Sequence, residues 1–203
     1  MPLSAHVPYY DMVADPVGVL KDYAEIGCQF VAIPYPTPEC RPGTDGFAKV
    51  VENAAMLGKV ANDLGMTLLY HNHDFEFQKI GDKYALEVLY DTVSEDPLKT
   101  ELDPCWVRVG GEEPAAYVRK YTGRAPVVHL KDYAGGKSEH MYELIGIKSE
   151  EKKSDEKPFE FRPVGYGVQD VPAIIKAGLA SGCTAFSAAG AAQTSGAVSD
   201  AAA

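Results

Sequence analysis

Short apolar runs alternate with helical patterns along most of this chain, and this alternation restricts the fold more than any other feature of the sequence. The run 28–35 (CQFVAIPY) is unbroken, as expected of a strand that is buried on both faces. A helical pattern begins at Asp15-Pro16, a capping residue followed by proline, and closes at Gly27. The alternation predicts about six βα units around a parallel sheet. Strands are predicted at 3–7, 28–35, 66–73, 98–103, 125–132 and 183–187, and helices at 16–27, 47–64, 84–93, 114–121 and 169–177.

Polar side chains at the carboxyl ends of the predicted strands decide between two α/β architectures. No G-x-G-x-x-G follows a strand, so an open, doubly wound sheet that binds a dinucleotide has no support. In a (β/α)8 barrel the strand ends converge on one mouth, where the active site lies. We therefore predict a partial (β/α)8 TIM barrel of parallel strands. Its mouth would carry His6, His71, His73, Asp103, His129, Lys131 and Asp132.

The charge balance restricts the partners. With 19 Lys+Arg against 29 Asp+Glu, the net charge of −10 argues against nucleic acid and anionic membranes, which both attract positive surfaces. No apolar run reaches the ~18 residues that a membrane span needs, and the first residues lack the pattern of a secretory signal. We expect a cytoplasmic protein whose four cysteines are reduced, since they form no C-x-x-C pair: Cys28, Cys40, Cys105 and Cys183.

Three motifs carry a resemblance to a known family. They are YHNHDFEF at 70–77, ELDPCW at 101–106 and VHLKD at 128–132, and the segments 123–133 and 161–167 also fit. Together they resemble the xylose isomerase-like TIM barrel superfamily, in the sugar phosphate isomerase/epimerase branch, which is related to inosose dehydratases and 3-keto-sugar enzymes. The resemblance implies one divalent metal ion (Mn, Mg, Zn or Co) and a sugar or keto-sugar substrate.

The sequence departs from this family at both ends. Family members normally begin two βα units earlier and end on a strand that carries a Glu metal ligand, whereas 183–190 holds no carboxylate. We therefore expect a truncated member with an altered C-terminus. The expected organisation is an incomplete barrel over 1–180 and an Ala/Gly/Ser-rich tail over 181–203, disordered or non-native.

The resemblance assigns Asp103 and His129 to the metal. They lie 26 residues apart, about one βα unit, which suits neighbouring strand ends. For a third ligand we predict Glu76, because a carboxylate neutralises the ion, although His71 lies nearer to the place where related branches carry a Glu. The alternatives are hydrogen-bonded mouth residues and a loop cap without an ion.

The remaining polar residues are interpreted as catalytic or substrate-binding. His71 and His73 share a strand face, so each is a candidate base. Lys131 shares a face with His129 and is a candidate base or a group that binds a substrate oxygen, with a salt bridge to Asp132 or Asp103 as the alternative. His6 and Trp106 are predicted to contact the substrate, with ordinary packing as the alternative for Trp106.

These assignments predict a metal-dependent sugar isomerase or epimerase, or a dehydratase, that removes a proton next to a metal-polarised carbonyl. The alternative is a non-catalytic, truncated remnant of such an enzyme. The run at 71–73 also invites a nuclease interpretation, but an endonuclease IV type of activity is disfavoured by the acidic charge.

Overall fold

A computed structural model describes residues 2–137, 141–142 and 159–188. Helices and strands alternate along this part of the chain, as the apolar runs predict. In chain order the elements are β1 (Ser4–His6), α1 (Tyr9–Ala14), α2 (Pro16–Glu25), β2 (Phe30–Ile33), α3 (Gly46–Asp63), β3 (Thr67–His71), β4 (Lys79–Ile80), β5 (Lys83–Tyr84), α4 (Ala85–Thr92), β6 (Lys99–Leu102), α5 (Pro104–Val109), α6 (Pro114–Lys120), β7 (Val127–Leu130), β8 (Asp132–Ala134), β9 (Glu160–Arg162), α7 (Val171–Ala180) and β10 (Ala185–Ala188). Single turns of 3-10 helix lie at Pro38–Cys40 and Phe75–Phe77.

One sheet contains six parallel strands in the order β1-β2-β3-β6-β7-β10. Each of the six predicted strands is present, and neighbours in the sheet follow one another along the chain with a helix between them. This arrangement is the curled part-barrel that the alternation predicts, so the partial (β/α)8 barrel is confirmed.

Acidic residues followed by proline begin several of the helices. Asp15 accepts a hydrogen bond from the Gly18 amide at 3.0 Å and precedes Pro16, as predicted. Asp103, Glu113 and Asp170 cap α5, α6 and α7 in the same way, each with a proline at one of the first two helical positions. The cap satisfies an amide that has no partner inside the helix, and proline removes one such amide altogether.

The two faces of the sheet bury different sets of residues because strand side chains alternate with a period of two. The outward face packs its apolar side chains under the helices in the main core, with Val31, Leu68 and Val128 among them. The inward face carries a small apolar layer inside the part-barrel, made by Ala32, Leu69 and Val127 with Phe30 and Ala185 against them. The same inward face continues toward the carboxyl ends of the strands, where polar residues replace apolar ones.

The structure also contains elements that the apolar pattern did not predict. They include the short helices α1 and α5 and the two small antiparallel pairs, β4 with β5 and β8 with β9. The run 125–132 is divided between β7 and β8 at Lys131. The excursion predicted at 135–157 lies for the most part outside the described residues. Of the tail predicted over 181–203, the structure describes residues 181–188, which contain β10, and the rest of the predicted tail lies outside the described residues. Among the helices that the structure describes, none is long and apolar enough to span a membrane.

Candidate metal centre and active site

Four polar side chains come together on the inward face of the sheet, near the carboxyl ends of its strands. His71 on β3 pairs with Glu101 on β6, and His129 on β7 lies two residues beyond Val127, the partner of Glu101. His6 ends β1 on the same side of the sheet. Each of these side chains lies on the inward face of its strand, at or beyond the level of the apolar layer, so that the four can meet.

Glu101 lies at the centre of the group. Its Oε1 atom is 2.9 Å from His129 Nδ1, 3.1 Å from His6 Nε2 and 3.7 Å from His71 Nδ1. One donor atom from each of His6, His71, Glu101 and His129 lies within 4.8 Å of the other three. We call these four residues the His3Glu cluster. Glu101 and His71 are almost fully buried, at 3% and 1% exposure, whereas the side chain of His6 is 37% exposed and faces the open side.

The protonation states of the cluster favour cation binding. Burial raises the pKa of Glu101, but its contacts with His129, His6 and His71 lower it by more, so the carboxylate is ionised. Burial and the neighbouring Lys131 lower the pKa of His71 to about 3. At neutral pH the cluster therefore offers a carboxylate and a neutral imidazole, the forms in which these groups bind metals.

A second carboxylate adjoins the cluster on the other side of His71. Asp103 Oδ2 lies 3.5 Å from His71 Nε2 and 2.9 Å from the Nζ atom of Lys131, which is itself 3.5 Å from His71 Nε2. The other oxygen, Oδ1, accepts the amides that begin α5. Asn72 holds the Asp103 main chain, because its side chain accepts the Asp103 amide at 2.9 Å and donates to the Asp103 carbonyl at 3.2 Å. Asp103 and Lys131 thus form an ion pair beside the cluster, with Asp103 fully buried.

His73 lies among aromatic rings next to the cluster. Its ring is 5.1 Å from that of His71, stacks on Phe75 at 5.2 Å, and lies 5.1 Å from the Trp106 ring. Burial lowers its pKa well below the usual value. Trp106 has no exposed surface and stacks on Phe159 at 5.7 Å, so it forms the wall behind His73.

Glu76 lies apart from the His3Glu cluster. It is fully buried on the 3-10 turn that follows β3, where the Tyr70 hydroxyl donates to Oε1 and the His73 amide donates to Oε2, both at 2.7 Å. Burial raises the pKa of Glu76 to about 8, although both hydrogen bonds act in the opposite direction.

The predicted site residues are therefore brought together only in part. His6, His71 and His129 meet in the cluster, and Asp103 and Lys131 adjoin it. Glu76 instead accepts hydrogen bonds from Tyr70 and His73, and Trp106 stacks on Phe159. The individual roles of all eight predicted residues stay predictions. Glu101 was not singled out from the sequence, although it stands two residues before Asp103 and so shares its strand face, which was the available signal.

The residues present fit a divalent ion. The Nδ1 atom of His71 and the Oε2 atom of Glu101 are buried without a hydrogen-bond partner in the part of the chain that the structure describes. Buried polar atoms are normally satisfied, so unpartnered atoms on two members of the cluster are compatible with a bound ion. Three imidazoles and a carboxylate suit zinc, cobalt or manganese by ligand chemistry.

Comparisons with known proteins point to one family. A family model described as xylose isomerase-like TIM barrel matches residues 19–185. Among curated proteins, the inosose dehydratase of Clostridium beijerinckii is 31% identical over 97 residues, which cover 45% of this chain and 32% of that protein. The match therefore spans about a third of the length of that relative.

Solved structures show the same fold. A sugar phosphate isomerase/epimerase from Parabacteroides distasonis superposes with a TM-score of 0.67 at 19% identity, over 92% of this chain and 62% of that one. An IOLI protein with a bound zinc atom gives a TM-score of 0.58 at 15% identity, over 92% of this chain and 66% of that one. A xylose isomerase-like TIM barrel protein from Mycobacterium smegmatis, in complex with magnesium, superposes with a TM-score of 0.62 at 15% identity. The match covers 92% of this chain and 65% of that one.

Proposed function

This chain belongs to the xylose isomerase-like TIM barrel family, and we propose that it is a metal-dependent isomerase or epimerase, or a dehydratase, that acts on a keto-sugar or a related cyclic ketone. The observation that carries the proposal is the convergence of His6, His71, Glu101 and His129 from four strands, beside the Asp103–Lys131 pair. Such an arrangement lies where barrel enzymes carry their active sites. The likeness to an inosose dehydratase supports a polyhydroxylated ketone as the substrate class.

The ion would be held by Glu101, His71 and His129. His6 is the most exposed member of the cluster and lies on the open side, which suits contact with substrate hydroxyl groups as well as with the ion. A bound divalent ion would polarise a substrate carbonyl and stabilise the negative charge that develops when the neighbouring carbon loses a proton.

Two residues beside the cluster are suited to moving protons. The ammonium of Lys131 is held at 2.9 Å from Asp103 Oδ2 and is 10% exposed, so we assign it to bind a substrate oxygen and donate a proton to it. The ring of His73 lies 5.1 Å from that of His71 and its Nδ1 atom has no hydrogen-bond partner among the described residues, so we assign it to accept the proton from carbon. Return of a proton to the neighbouring carbon gives isomerisation, and return to the same carbon from the opposite face gives epimerisation. Loss of a β-hydroxyl group gives dehydration.

The test combines metal binding with activity. The purified protein is titrated with Zn²⁺ or Mn²⁺ in competition with a chromophoric chelator, and is assayed on keto-sugars and on inosose with and without EDTA. We expect one tightly bound ion per chain and activity that EDTA abolishes. Activity that persists after removal of the ion would refute the proposal.

Variants locate the site. Glu101→Gln replaces the central carboxylate. Loss of a residue that only supports a metal ligand typically weakens ion binding roughly 10- to 100-fold, and we expect a larger loss here because Glu101 would bind the ion itself. Lys131→Met should retain the ion and lower turnover about 100-fold or more, as expected for a proton-transfer group. Glu52→Gln, on the exposed surface of α3, is the matched control and should change neither quantity.

A further inference from the structure

We propose that Glu76 is a positioning residue that fixes the end of β3 and does not bind the metal. The inference rests on the metal centre proposed above and assigns Glu76 a different role from the ligand role that the sequence predicts. The argument starts from its two carboxylate oxygens. Oε1 accepts from the Tyr70 hydroxyl and Oε2 accepts from the His73 amide, each at 2.7 Å.

These two donors lie on either side of His71, which belongs to the His3Glu cluster. Tyr70 precedes His71 in β3, and His73 is the second residue after it. Glu76 therefore links the side chain of Tyr70, just before His71, to the main chain of His73, just after it. This link leaves the strand end little freedom, because both of its anchors are buried: Tyr70 has no exposed surface and His73 is 2% exposed.

The same segment is fixed from its other side. Asn72, between the two histidines, exchanges two hydrogen bonds with the main chain of Asp103, at 2.9 Å and 3.2 Å. Glu76 thus sets the direction of His71, and Asn72 couples that strand end to the end of β6, which carries Glu101. A side chain that contacts no reacting group would in this way hold two members of the His3Glu cluster in register.

The surroundings of Glu76 are those of a structural acceptor. It forms no ion pair with any residue that the structure describes, and its nearest polar contacts are a phenol hydroxyl and an amide. A carboxylate that binds the metal is expected to keep an oxygen free of hydrogen bonds within the protein, as Glu101 does with its buried Oε2. Neither oxygen of Glu76 is such an atom, since both accept a hydrogen bond.

Three variants separate the two roles. Glu76→Gln keeps the shape: its carbonyl oxygen can accept from the His73 amide, and its NH2 can donate to the Tyr70 hydroxyl oxygen. Glu76→Ala removes both contacts. Tyr70→Phe removes only one contact and keeps the ring in the core.

The first readout is ion affinity, measured with Zn²⁺ by competition with a chelator, together with the visible spectrum of the Co²⁺-loaded protein. We expect Glu76→Gln to bind within about threefold of the parent protein with an unchanged Co²⁺ spectrum, and Glu76→Ala to bind about 10-fold more weakly. Near-parental ion affinity in Glu76→Gln, together with weaker binding in Glu76→Ala, is the result expected of a residue that positions the ligands without binding the ion. If Glu76→Gln instead loses affinity as strongly as Glu76→Ala and shifts the Co²⁺ spectrum, Glu76 is a ligand and the inference is overturned.

The second readout needs no ion. Hydrogen exchange of the 71–77 segment is followed in metal-free protein, and we expect faster exchange in Glu76→Ala and near-parental exchange in Glu76→Gln. Unchanged exchange in Glu76→Ala would overturn the inference. A parent protein that binds no ion would contradict the proposed function alone, because the exchange measurement still decides the role of Glu76. If Glu76→Ala does not fold, Tyr70→Phe replaces it, with faster exchange of the same segment as the supporting result and unchanged exchange as the contrary one.

Discussion

Replacing Glu76 with glutamine should remove part of the pH dependence of stability. Burial raises the pKa of the folded-state carboxyl to about 8, from an ordinary value of 4.5. For a raised pKa, the contribution to stability is complete below pH 4.5 and is lost as the pH rises toward 8, because the unfolded chain ionises first. The slope is about 1.4 kcal/mol for each pH unit in this window, or about 3 kcal/mol between pH 5 and pH 7.

The measurement is urea denaturation of the parent protein and of Glu76→Gln at pH 5, 6 and 7, with EDTA present so that no ion contributes. The free energy of unfolding of the parent protein should fall relative to that of the variant by about 3 kcal/mol over this range. The variant retains the other buried groups, including His71 and His73, so the difference between the two proteins isolates one carboxyl. Glu52→Gln, at an exposed position, serves as the control and should follow the parent. Parallel pH profiles for the parent and Glu76→Gln would refute the reasoning.

Three further substitutions test the packing of the part-barrel, each by thermal and urea denaturation. Gly58→Ala should destabilise the protein by about 1–3 kcal/mol although alanine favours helices, because the added Cβ would lie 1.9 Å from the Pro97 carbonyl oxygen; a raised melting temperature would contradict this close approach. Leu69→Ala should cost about 2–5 kcal/mol, since Leu69 is fully buried in the layer beneath the His3Glu cluster; a loss under 1 kcal/mol would mean that the layer collapses into the space. Arg124→Ala should cost about 2 kcal/mol or more, because its guanidinium donates to three main-chain carbonyl groups, and Arg124→Lys should recover only part of the loss; full recovery would show that the charge, not the fork of donors, matters.

The strands and most helices were predictable because the relevant forces act locally. A strand buried on both faces needs an apolar run, and 30–35 (FVAIPY) and 68–70 (LLY) supply one each. An acidic cap followed by proline marks a helix start without any knowledge of its neighbours, as Asp15 shows. The helix α5 was missed because its six residues are too few to display a helical period.

The candidate site was predictable only where strand periodicity applies. His6, His71 and His129 stand at strand ends, where the alternation of side chains fixes the face on which each one lies. Glu101 obeys the same rule and could have been found by applying it to the strand that ends at Asp103. Glu76 stands on a 3-10 turn, where a period of two has no meaning, so its hydrogen bonds to Tyr70 and His73 could not be inferred from its position in the sequence.

The amino-acid sequence alone determined the order of the elements, the parallel sheet and the pool of polar residues at its carboxyl edge, because burial and capping depend on residues close together in the chain. The tertiary structure decided which of these residues meet. Contacts such as Glu101 with His6, 95 residues apart, depend on the stagger between neighbouring strands and on the curl of the sheet. Both are set by the packing of the whole sheet, and no local pattern of residues encodes them.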